Sequence, residues 1–228
     1  MKSGFVSIVG RPNVGKSTLL NSIVGEKVAI ATDKPQTTRN TIRGIYTRIV
    51  EGVPEAQMVF IDTPGIHRPK NRLGSYMTSA ALNTFREVDI ILFLVDSPPR
   101  EGGGDTYIAD MLADVETPKI LVINKIDMFS PEDFEATYKH YESMGIFHSI
   151  VGTQADTGKN VDRLTAIVEE LMHEGPMYFP ADIATDHPMR FLAGEIIREK
   201  ALLYLSEEVP HGVAVEIEKY EEGEKLVE

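Results

Sequence analysis

The fold of this chain is decided by residues 10–17, which read Gly10-Arg11-Pro12-Asn13-Val14-Gly15-Lys16-Ser17. This stretch matches the pattern G-x-x-x-x-G-K-[ST], and it lies between a predicted strand over 4–9 and a predicted helix over 17–24. Glycines let the backbone curl so that successive N–H groups point inward at a helix N-terminus, which favours an anion such as phosphate. The alternative is a glycine-rich turn without function, and the flanking strand and helix argue against it.

Two side chains of this loop carry the expected chemistry. Lys16 is predicted to reach the β- and γ-phosphates of a nucleotide as a catalytic residue, and the Ser17 hydroxyl is predicted to ligate Mg²⁺. The nucleotide-binding residues predicted in this part of the chain are Gly10, Asn13, Val14, Gly15, Lys16, Ser17 and Thr18.

Short apolar runs alternate with helical patterns over the first three-quarters of the chain. Residues 89–96 and 119–124 are almost continuously apolar, which is typical of strands buried on both faces of a parallel sheet. Strands that alternate with helices predict a doubly wound, mostly parallel α/β sheet, the fold class of a P-loop NTPase. The other predicted elements are strands at 41–50, 57–62 and 149–152, a turn at Gly52-Val53-Pro54, and helices at 106–115, 131–143 and 161–171.

The pattern changes near Gly175-Pro176, where a Pro-containing stretch begins. We expect a nucleotide-binding domain over 1–175, a linker over 176–187, and the start of a second, α+β domain over 188–228. The sequence here predicts a helix with its start at His187-Pro188 and its body over 191–205, followed by a loose strand over 212–220. One helix and one strand bury too little apolar surface for a core, so the second domain is expected to be incomplete.

The overall composition limits the classes of function. The 228 residues include no cysteine, which excludes disulfides and thiolate metal sites and is typical of a reducing compartment. The formal net charge of −12 argues against broad non-specific binding to nucleic acid, although a local basic patch is compatible with it. The sequence shows neither an apolar run long enough to span a bilayer nor a signal-peptide pattern, so a cytoplasmic location is expected.

Residues 124–127 read Asn124-Lys125-Ile126-Asp127 and follow a predicted strand. The Asp127 carboxylate can accept hydrogen bonds from N1–H and the exocyclic amine of guanine, whereas adenine offers neither donor in that arrangement. Because an unpaired buried carboxylate is costly, such a site can discriminate by roughly 10⁴-fold or more. The pattern N-K-x-D alone is often a solvated loop. Downstream of a phosphate loop, it predicts Asn124, Lys125 and Asp127 as nucleotide-binding residues.

Two further stretches are expected near the phosphates. In Asp62-Thr63-Pro64-Gly65, Asp62 is predicted to support Mg²⁺, usually through water, and the Gly65 N–H is predicted to meet the γ-phosphate. For this motif taken alone, a simple Pro-Gly turn is the alternative. Gln36-Thr37-Thr38-Arg39 lies in a polar stretch, and one of its two threonines is a candidate to complete the Mg²⁺ shell. The residues alone do not choose between Thr37 and Thr38.

In this order, the motifs resemble the translation-factor-related GTPases and, more closely, the bacterial Era family. The residues that carry the resemblance are 10–17, 36–39, 62–67, 124–127, 190–191 and 195–200. The last two stretches look like the start of the family's C-terminal KH domain, so the resemblance covers essentially the whole chain.

The resemblance implies a GTPase that binds GTP or GDP with Mg²⁺ and acts as a molecular switch. It implies that Thr38 ligates Mg²⁺ and is catalytic together with Gly65, and that the Ala155 N–H meets guanine O6. Switch I is expected over 25–40 and switch II over 63–76. The intact protein is implied to bind small-subunit ribosomal RNA and to assist ribosome assembly, with a peripheral membrane contact. The chain is expected to be a monomer.

Three departures from the family pattern have consequences. No G-x-x-G loop occurs after residue 175, so this chain is expected to lack the main RNA-binding surface of a KH module. Gln154 stands where the family has Ser, which puts the supporting role of that side chain in doubt. Ile66 stands where many GTPases have the Gln that orients the attacking water. Basal hydrolysis is therefore expected to be slow, about 10⁻⁴–10⁻³ s⁻¹.

Three questions stay open from the residues. Related GTPases with Asn at the position of Asn13 use it to help hold K⁺ near the phosphates, where a cation neutralises developing charge. K⁺ stimulation is therefore one hypothesis, and an Asn that only braces the loop is the other. A P-loop ATPase is a rival function against which Asp127 argues. A guanine-nucleotide-binding module with negligible hydrolysis is a second rival, which Ile66 favours.

Overall fold

The structure is a computed structural model that describes residues 1–32, 41–63, 65–66, 85, 87–100, 103–204 and 213–220. Its strands are β1 (Lys2–Gly10), β2 (Ile42–Val50), β3 (Val53–Asp62), β4 (Ile90–Val95), β5 (Lys119–Ile123) and β6 (Ser149–Gly152). Its helices are α1 (Lys16–Val24), α2 (Gly104–Ala113), α3 (Pro131–Ser143), α4 (Val161–Leu171) and α5 (Met189–Tyr204). A 3₁₀ turn covers Ile126–Met128.

The strands form one sheet of six in the order β2-β3-β1-β4-β5-β6. β2 runs antiparallel to β3, and every other neighbouring pair is parallel. The predicted doubly wound, mostly parallel sheet is therefore confirmed. In such open sheets, ligands bind outside the carboxyl ends of the strands, at the point where the strand order reverses. Here that point lies at β1, between β3 and β4, and the residues at this edge include Gly10, Asp62 and Val95.

Two apolar layers cover the two faces of the sheet. On β1, Val6 and Ile8 belong to one layer and Val9 to the other, because successive side chains of a strand point to opposite faces. The helices contribute Leu20 of α1 and Leu164 of α4 to the first layer, and Ile108 of α2 and Tyr141 of α3 to the second. Because both faces are covered, every residue of β4 and β5 is buried, which explains their continuous apolar runs.

The turn between β2 and β3 differs from its prediction. Glu51 and Gly52 form it, with left-handed φ values of 50° and 82°, whereas Val53 and Pro54 belong to β3. Proline usually marks a turn, which is why the prediction included it. Pro54 instead lies opposite Ile49, next to a shift in the β2–β3 register, and such an irregularity tolerates the missing N–H donor.

The predicted ends of the chain's helices and last strand also need correction. α2 begins at Gly104 rather than at residue 106. α5 begins at Met189, between the predicted start at His187-Pro188 and the predicted body over 191–205. The strand predicted over 212–220 is wrong for its described part, since 213–220 form no strand. Alternation of apolar residues predicts a strand only where a neighbouring strand is available to pair with it. Among the described helices, none is both long enough and apolar enough to cross a membrane.

The stretch predicted as a linker, residues 176–187, packs against the sheet. Gln57 of β3 is fully buried, and its Oε1 accepts the N–H groups of Tyr178 (2.8 Å) and Phe179 (3.0 Å). Gln57 Nε2 also donates to the Phe179 carbonyl at 2.9 Å. Farther along, the Ile45 N–H on the edge strand β2 donates to the Ala184 carbonyl at 2.8 Å. This stretch is therefore tied to β2 and β3, while the predicted domain boundaries stay a prediction.

Candidate functional site

The loop between β1 and α1 connects a central strand directly to a helix N-terminus. Gly15 has φ of 99° and Asn13 has φ of 66°, so the chain turns sharply through left-handed conformations before α1 begins at Lys16. A Cβ atom at Gly15 would lie 2.3 Å from Asn124 Nδ2, so both the backbone angle and the close approach require glycine. The loop thus has the tight curl that the sequence motif predicted.

Lys16 is held inside this loop. Its side chain is only 6% exposed, and Nζ donates to the carbonyls of Arg11 (2.8 Å) and Gly10 (3.3 Å). Burial lowers the pKa of Lys16, and the negative charge of Asp62 acts in the opposite direction. A buried ammonium with carbonyl acceptors is poised for a stronger, charged acceptor, and phosphate oxygens are such acceptors.

Ser17 and Asp62 meet at the edge of the sheet. The Ser17 hydroxyl donates to Asp62 Oδ2 at 2.6 Å, and both residues are buried. A hydroxyl and a carboxylate are hard oxygen donors, which Mg²⁺ prefers, and this ion is usually bound by one or two protein groups together with phosphates and water. The described residues contain no group of three or more His, Cys, Asp or Glu that would bind a metal by themselves. The pair therefore fits Mg²⁺ bound jointly with a nucleotide.

Gly65 and Ile66 pass directly beside the phosphate loop. A Cβ atom at Gly65 would lie 2.6 Å from the Pro12 nitrogen, so the two backbones are in close contact. The Ile66 N–H donates to the Gly10 carbonyl at 3.1 Å. The Ile66 side chain is 7% exposed and packs in the second apolar layer, with Phe85. The position that holds a water-orienting Gln in many GTPases is therefore a core position here.

The loop after β5 is bonded to the phosphate loop. Asn124 Nδ2 donates to the Val14 carbonyl at 2.9 Å, and Lys125 Nζ donates to the Asn13 carbonyl at 2.7 Å. Lys125 itself has a left-handed φ of 56°, which turns the chain at the end of the sheet. The two motifs are more than 100 residues apart in sequence, and the fold brings them into direct contact.

Asn124 is also supported from the loop after β6. Its Oδ1 accepts the Ala155 N–H and the Thr153 hydroxyl, each at 3.1 Å. Sequence reasoning missed Thr153, and its only signal was a hydroxyl residue just before Gln154. The prediction that the Ala155 N–H meets guanine O6 requires that this N–H be shared with Asn124. Asp127 is exposed in the 3₁₀ turn, so its carboxylate is accessible to a base.

Several predicted residues are not brought together by observed contacts. Thr18 lies half-buried in the first turn of α1, and no bond of its side chain is part of the site. The described residues do not include Gln36, Thr37, Thr38, Arg39, Pro64 or His67 of the predicted motifs. Most of switch I after residue 32 and of switch II after residue 66 is outside them as well, so those predictions stay predictions.

The sequence of this chain is similar to known GTPases. A family model described as "50S ribosome-binding GTPase" matches residues 5–125. Over 220 residues the chain is 56% identical to the GTPase Era of Clostridioides difficile (strain 630), and this match covers 96% of the chain and 72% of that protein.

Two solved structures of Era are similar in both fold and sequence. A single-residue variant of Aquifex aeolicus Era bound to GDP·AlF₄⁻ matches with a TM-score of 0.85 and 39% identity, over 98% of this chain and 75% of that chain. Era in complex with MgGDPNP and nucleotides 1506–1542 of 16S ribosomal RNA matches with a TM-score of 0.85 and 39% identity. The second match covers 98% of this chain and 74% of that chain.

Proposed function

This chain belongs to the Era family of GTPases, and we propose that its loops at the carboxyl edge of the sheet bind GTP and GDP and form a molecular switch. The proposed nucleotide-binding residues are Gly10, Asn13, Val14, Gly15, Lys16, Ser17, Thr18, Asp62, Gly65, Asn124, Lys125, Asp127 and Ala155.

The observation that carries the proposal is the direct bonding of the two nucleotide loops. Asn124 and Lys125 donate to carbonyls of the phosphate loop at 2.9 Å and 2.7 Å. These bonds fix the position of the 3₁₀ turn that contains Asp127 relative to the buried Lys16. A ligand with a guanine base at one end and phosphates at the other spans such a pair of loops.

At the phosphate end, the buried residues act by position and charge. Lys16 exchanges the carbonyls of Gly10 and Arg11 for the β- and γ-phosphates. Ser17 and Asp62 are the residues that would hold Mg²⁺, which supplies charge neutralisation at the phosphates when bound. Thr38 is proposed as a further ligand, as the family resemblance implies.

Gly65 gives the site its means to sense the γ-phosphate. Its N–H is proposed to bond that group from a backbone position that already touches Pro12. Loss of the γ-phosphate removes this bond and also the condition under which Thr38 would complete the Mg²⁺ shell, so the two switch segments are released. The switch segments would thus have one conformation with the γ-phosphate bound and another without it, as a molecular switch requires.

Hydrolysis by this site is proposed to be slow. Since Ile66 packs in the core, it places no polar group near the attacking water. The exposed side chain of Asn13 carries an amide oxygen, a donor suitable for K⁺ beside the phosphates. We expect faster GTP hydrolysis in KCl than in NaCl at equal ionic strength, measured as phosphate release. Equal hydrolysis rates in the two salts would mean that Asn13 only stabilises the loop.

A phosphate-release assay with GTP and with ATP tests the activity itself. Release from GTP but not from ATP, lost in Lys16→Ala, is the expected result. Equal release from both nucleotides would favour a P-loop ATPase. Tight GDP binding with no release from either nucleotide, even in KCl, would favour a guanine-nucleotide-binding module.

We propose that the intact protein binds small-subunit ribosomal RNA and assists ribosome assembly. A similar Era structure contains nucleotides 1506–1542 of 16S ribosomal RNA. In this proposal residues 1–175 bind the nucleotide, 176–187 connect, and 188–228 begin a KH-like domain. Because no G-x-x-G loop follows residue 175, these 228 residues are expected to bind that RNA weakly. Filter binding with the same RNA fragment measures this, and tight binding would contradict it.

A monomeric state is a further proposal, and so is a peripheral membrane contact, which the family resemblance implies. Light scattering measures the first, and co-sedimentation with anionic vesicles measures the second. The net charge of −12 gives the membrane contact no support, because anionic lipid surfaces attract basic segments.

A further inference from the structure

Four charged side chains form an alternating cluster behind the phosphate loop. Arg11 Nε donates to Asp105 Oδ1 at 2.7 Å, and Arg11 Nη2 donates to Asp96 Oδ1 at 3.0 Å. The other oxygen of Asp96 accepts Lys125 Nζ at 2.7 Å. Two cations and two carboxylates thus alternate along one chain of hydrogen bonds. Of these four residues, the nucleotide site as proposed uses only Lys125.

Asp105 reaches this cluster from the first turn of α2. Its side chain is 8% exposed, whereas that of Arg11 is 32% exposed, so the carboxylate is the more deeply buried partner. Burial raises the pKa of the Asp105 carboxyl, and Arg11 opposes that rise by hydrogen bonding and charge. The hydrogen bond to Asp105 is in turn the main cause that raises the pKa of Arg11. Each charge therefore depends on the other.

Gly104, the first residue of α2, lies directly against the Arg11 side chain. A Cβ atom at Gly104 would lie 2.6 Å from Cδ and 3.0 Å from Cγ of Arg11. The Arg11 side chain therefore lies flat against the start of α2, in space that only glycine leaves open.

Arg11 belongs to the stretch of the phosphate loop whose backbone makes the site. Its carbonyl accepts Lys16 Nζ, and two residues later the Asn13 carbonyl accepts Lys125 Nζ. Asn13 has a left-handed φ of 66°, a conformation that non-glycine residues keep only when their surroundings hold them there. Loss of the Arg11 anchor would free this stretch to adopt other conformations.

We infer that Asp105 is a positioning residue, which acts through Arg11 to hold the phosphate loop in its nucleotide-binding shape, and that the first turn of α2 slows nucleotide release. This inference rests on the proposed guanine-nucleotide site. Binding of GDP by the unmodified chain tests that premise. Variants that still bind GDP then test the role of Asp105.

The experiment measures how fast a bound fluorescent GDP analogue is released, in the presence of excess GDP, from variants of the 228-residue chain. Asp105→Asn keeps the size of the side chain and removes its charge. Gly104→Ala keeps every charge and favours the helix, but its methyl group displaces Arg11. Asp110→Asn, an exposed acid on the same helix, is the matched control. Each of the first two variants is also made in an Arg11→Ala background.

The expected result is release about five- to tenfold faster in Asp105→Asn and in Gly104→Ala, as loss of a charge-assisted hydrogen bond predicts. Asp110→Asn leaves release unchanged. In the Arg11→Ala background both substitutions become silent, which a general weakening of α2 would not produce. Thermal unfolding of Gly104→Ala, measured alongside, distinguishes a local effect on release from a general loss of stability.

Two results would overturn the inference. One is unchanged release in the otherwise unmodified chain, and the other is an equal acceleration with and without Arg11. If Asp105→Asn fails to fold, the release rate of Gly104→Ala tests the inference by itself, because this substitution replaces neither a charged nor a polar side chain. A chain that does not bind GDP at all removes the premise, and the inference with it.

Discussion

At the scale of single residues, the Ser17–Asp62 pair tests the Mg²⁺ site. Ser17→Ala removes the hydroxyl that donates to Asp62 Oδ2 at 2.6 Å. We expect Mg²⁺ to bind at least about 10- to 100-fold more weakly, the loss seen when only groups that support a metal ligand are removed. GDP release should then respond little to EDTA, whereas EDTA should speed release from the unmodified chain and from the control Ser22→Ala. An unaltered EDTA response in Ser17→Ala would contradict the site.

Ile66 provides a second prediction at this scale. Ile66→Gln places an amide in the apolar layer that contains Phe85, so we expect a loss of about 3 kcal/mol in the free energy of unfolding. Because the side chain packs in the core, the new amide should not orient water, and GTP hydrolysis should not become faster. Urea unfolding and single-turnover hydrolysis measure the two effects. Hydrolysis more than about tenfold faster would show that residue 66 faces the nucleotide.

The residues predicted from sequence were those whose motif has a fixed spacing. Lys16, Ser17 and Asp127 lie in short motifs, and the structure places them at the expected edge of the sheet. Thr153 and Asp105 belong to no such motif, because their partners Asn124 and Arg11 lie 29 and 94 residues away in sequence. Contacts of this kind depend on the order of the strands, which local patterns do not contain.

At the scale of elements, Gln57 holds the stretch after α4 onto the sheet. Gln57→Ala leaves the N–H groups of Tyr178 and Phe179 without this acceptor, and we expect a loss of about 2–4 kcal/mol in the free energy of unfolding. Limited proteolysis between residues 176 and 187 should also become faster. Urea unfolding measures the first effect, with Gln154→Ala as the control of the same residue type. Unchanged stability and proteolysis in Gln57→Ala would mean that this stretch behaves as a free linker.

Elements were predictable where both faces of the sheet are covered. β4 and β5 are buried along their whole length, so their apolar runs gave nearly correct bounds. The turn predicted at Gly52-Val53-Pro54 was misplaced, because a proline beside a register shift is compatible with a strand. Residues 213–220 alternate in the sequence without forming a strand, since alternation reports burial on one face and not a pairing partner.

At the scale of the whole molecule, an acidic chain with a net charge of −12 contains a site proposed for an anionic ligand. This is compatible with the proposed site, which would bind phosphates with local groups: a helix N-terminus, the buried Lys16 and a metal ion held by Ser17 and Asp62. The overall charge therefore limits non-specific partners and says little about the specific ligand. The loops proposed to bind the two ends of that ligand are joined by Asn124 and Lys125, so the proposed base and phosphate positions lie in one site.

Calorimetric titration of the chain and of Asp127→Asn with GDP and ADP in Mg²⁺ buffer measures whether the site recognises guanine. Asp127 is exposed, so its replacement should leave the free energy of unfolding unchanged within about 0.5 kcal/mol. We predict tight binding of GDP, no detectable binding of ADP, and GDP affinity at least about tenfold lower in the variant, because the amide replaces one acceptor by a donor. Equal binding of ADP and GDP, or an unchanged GDP affinity in Asp127→Asn, would contradict the guanine site.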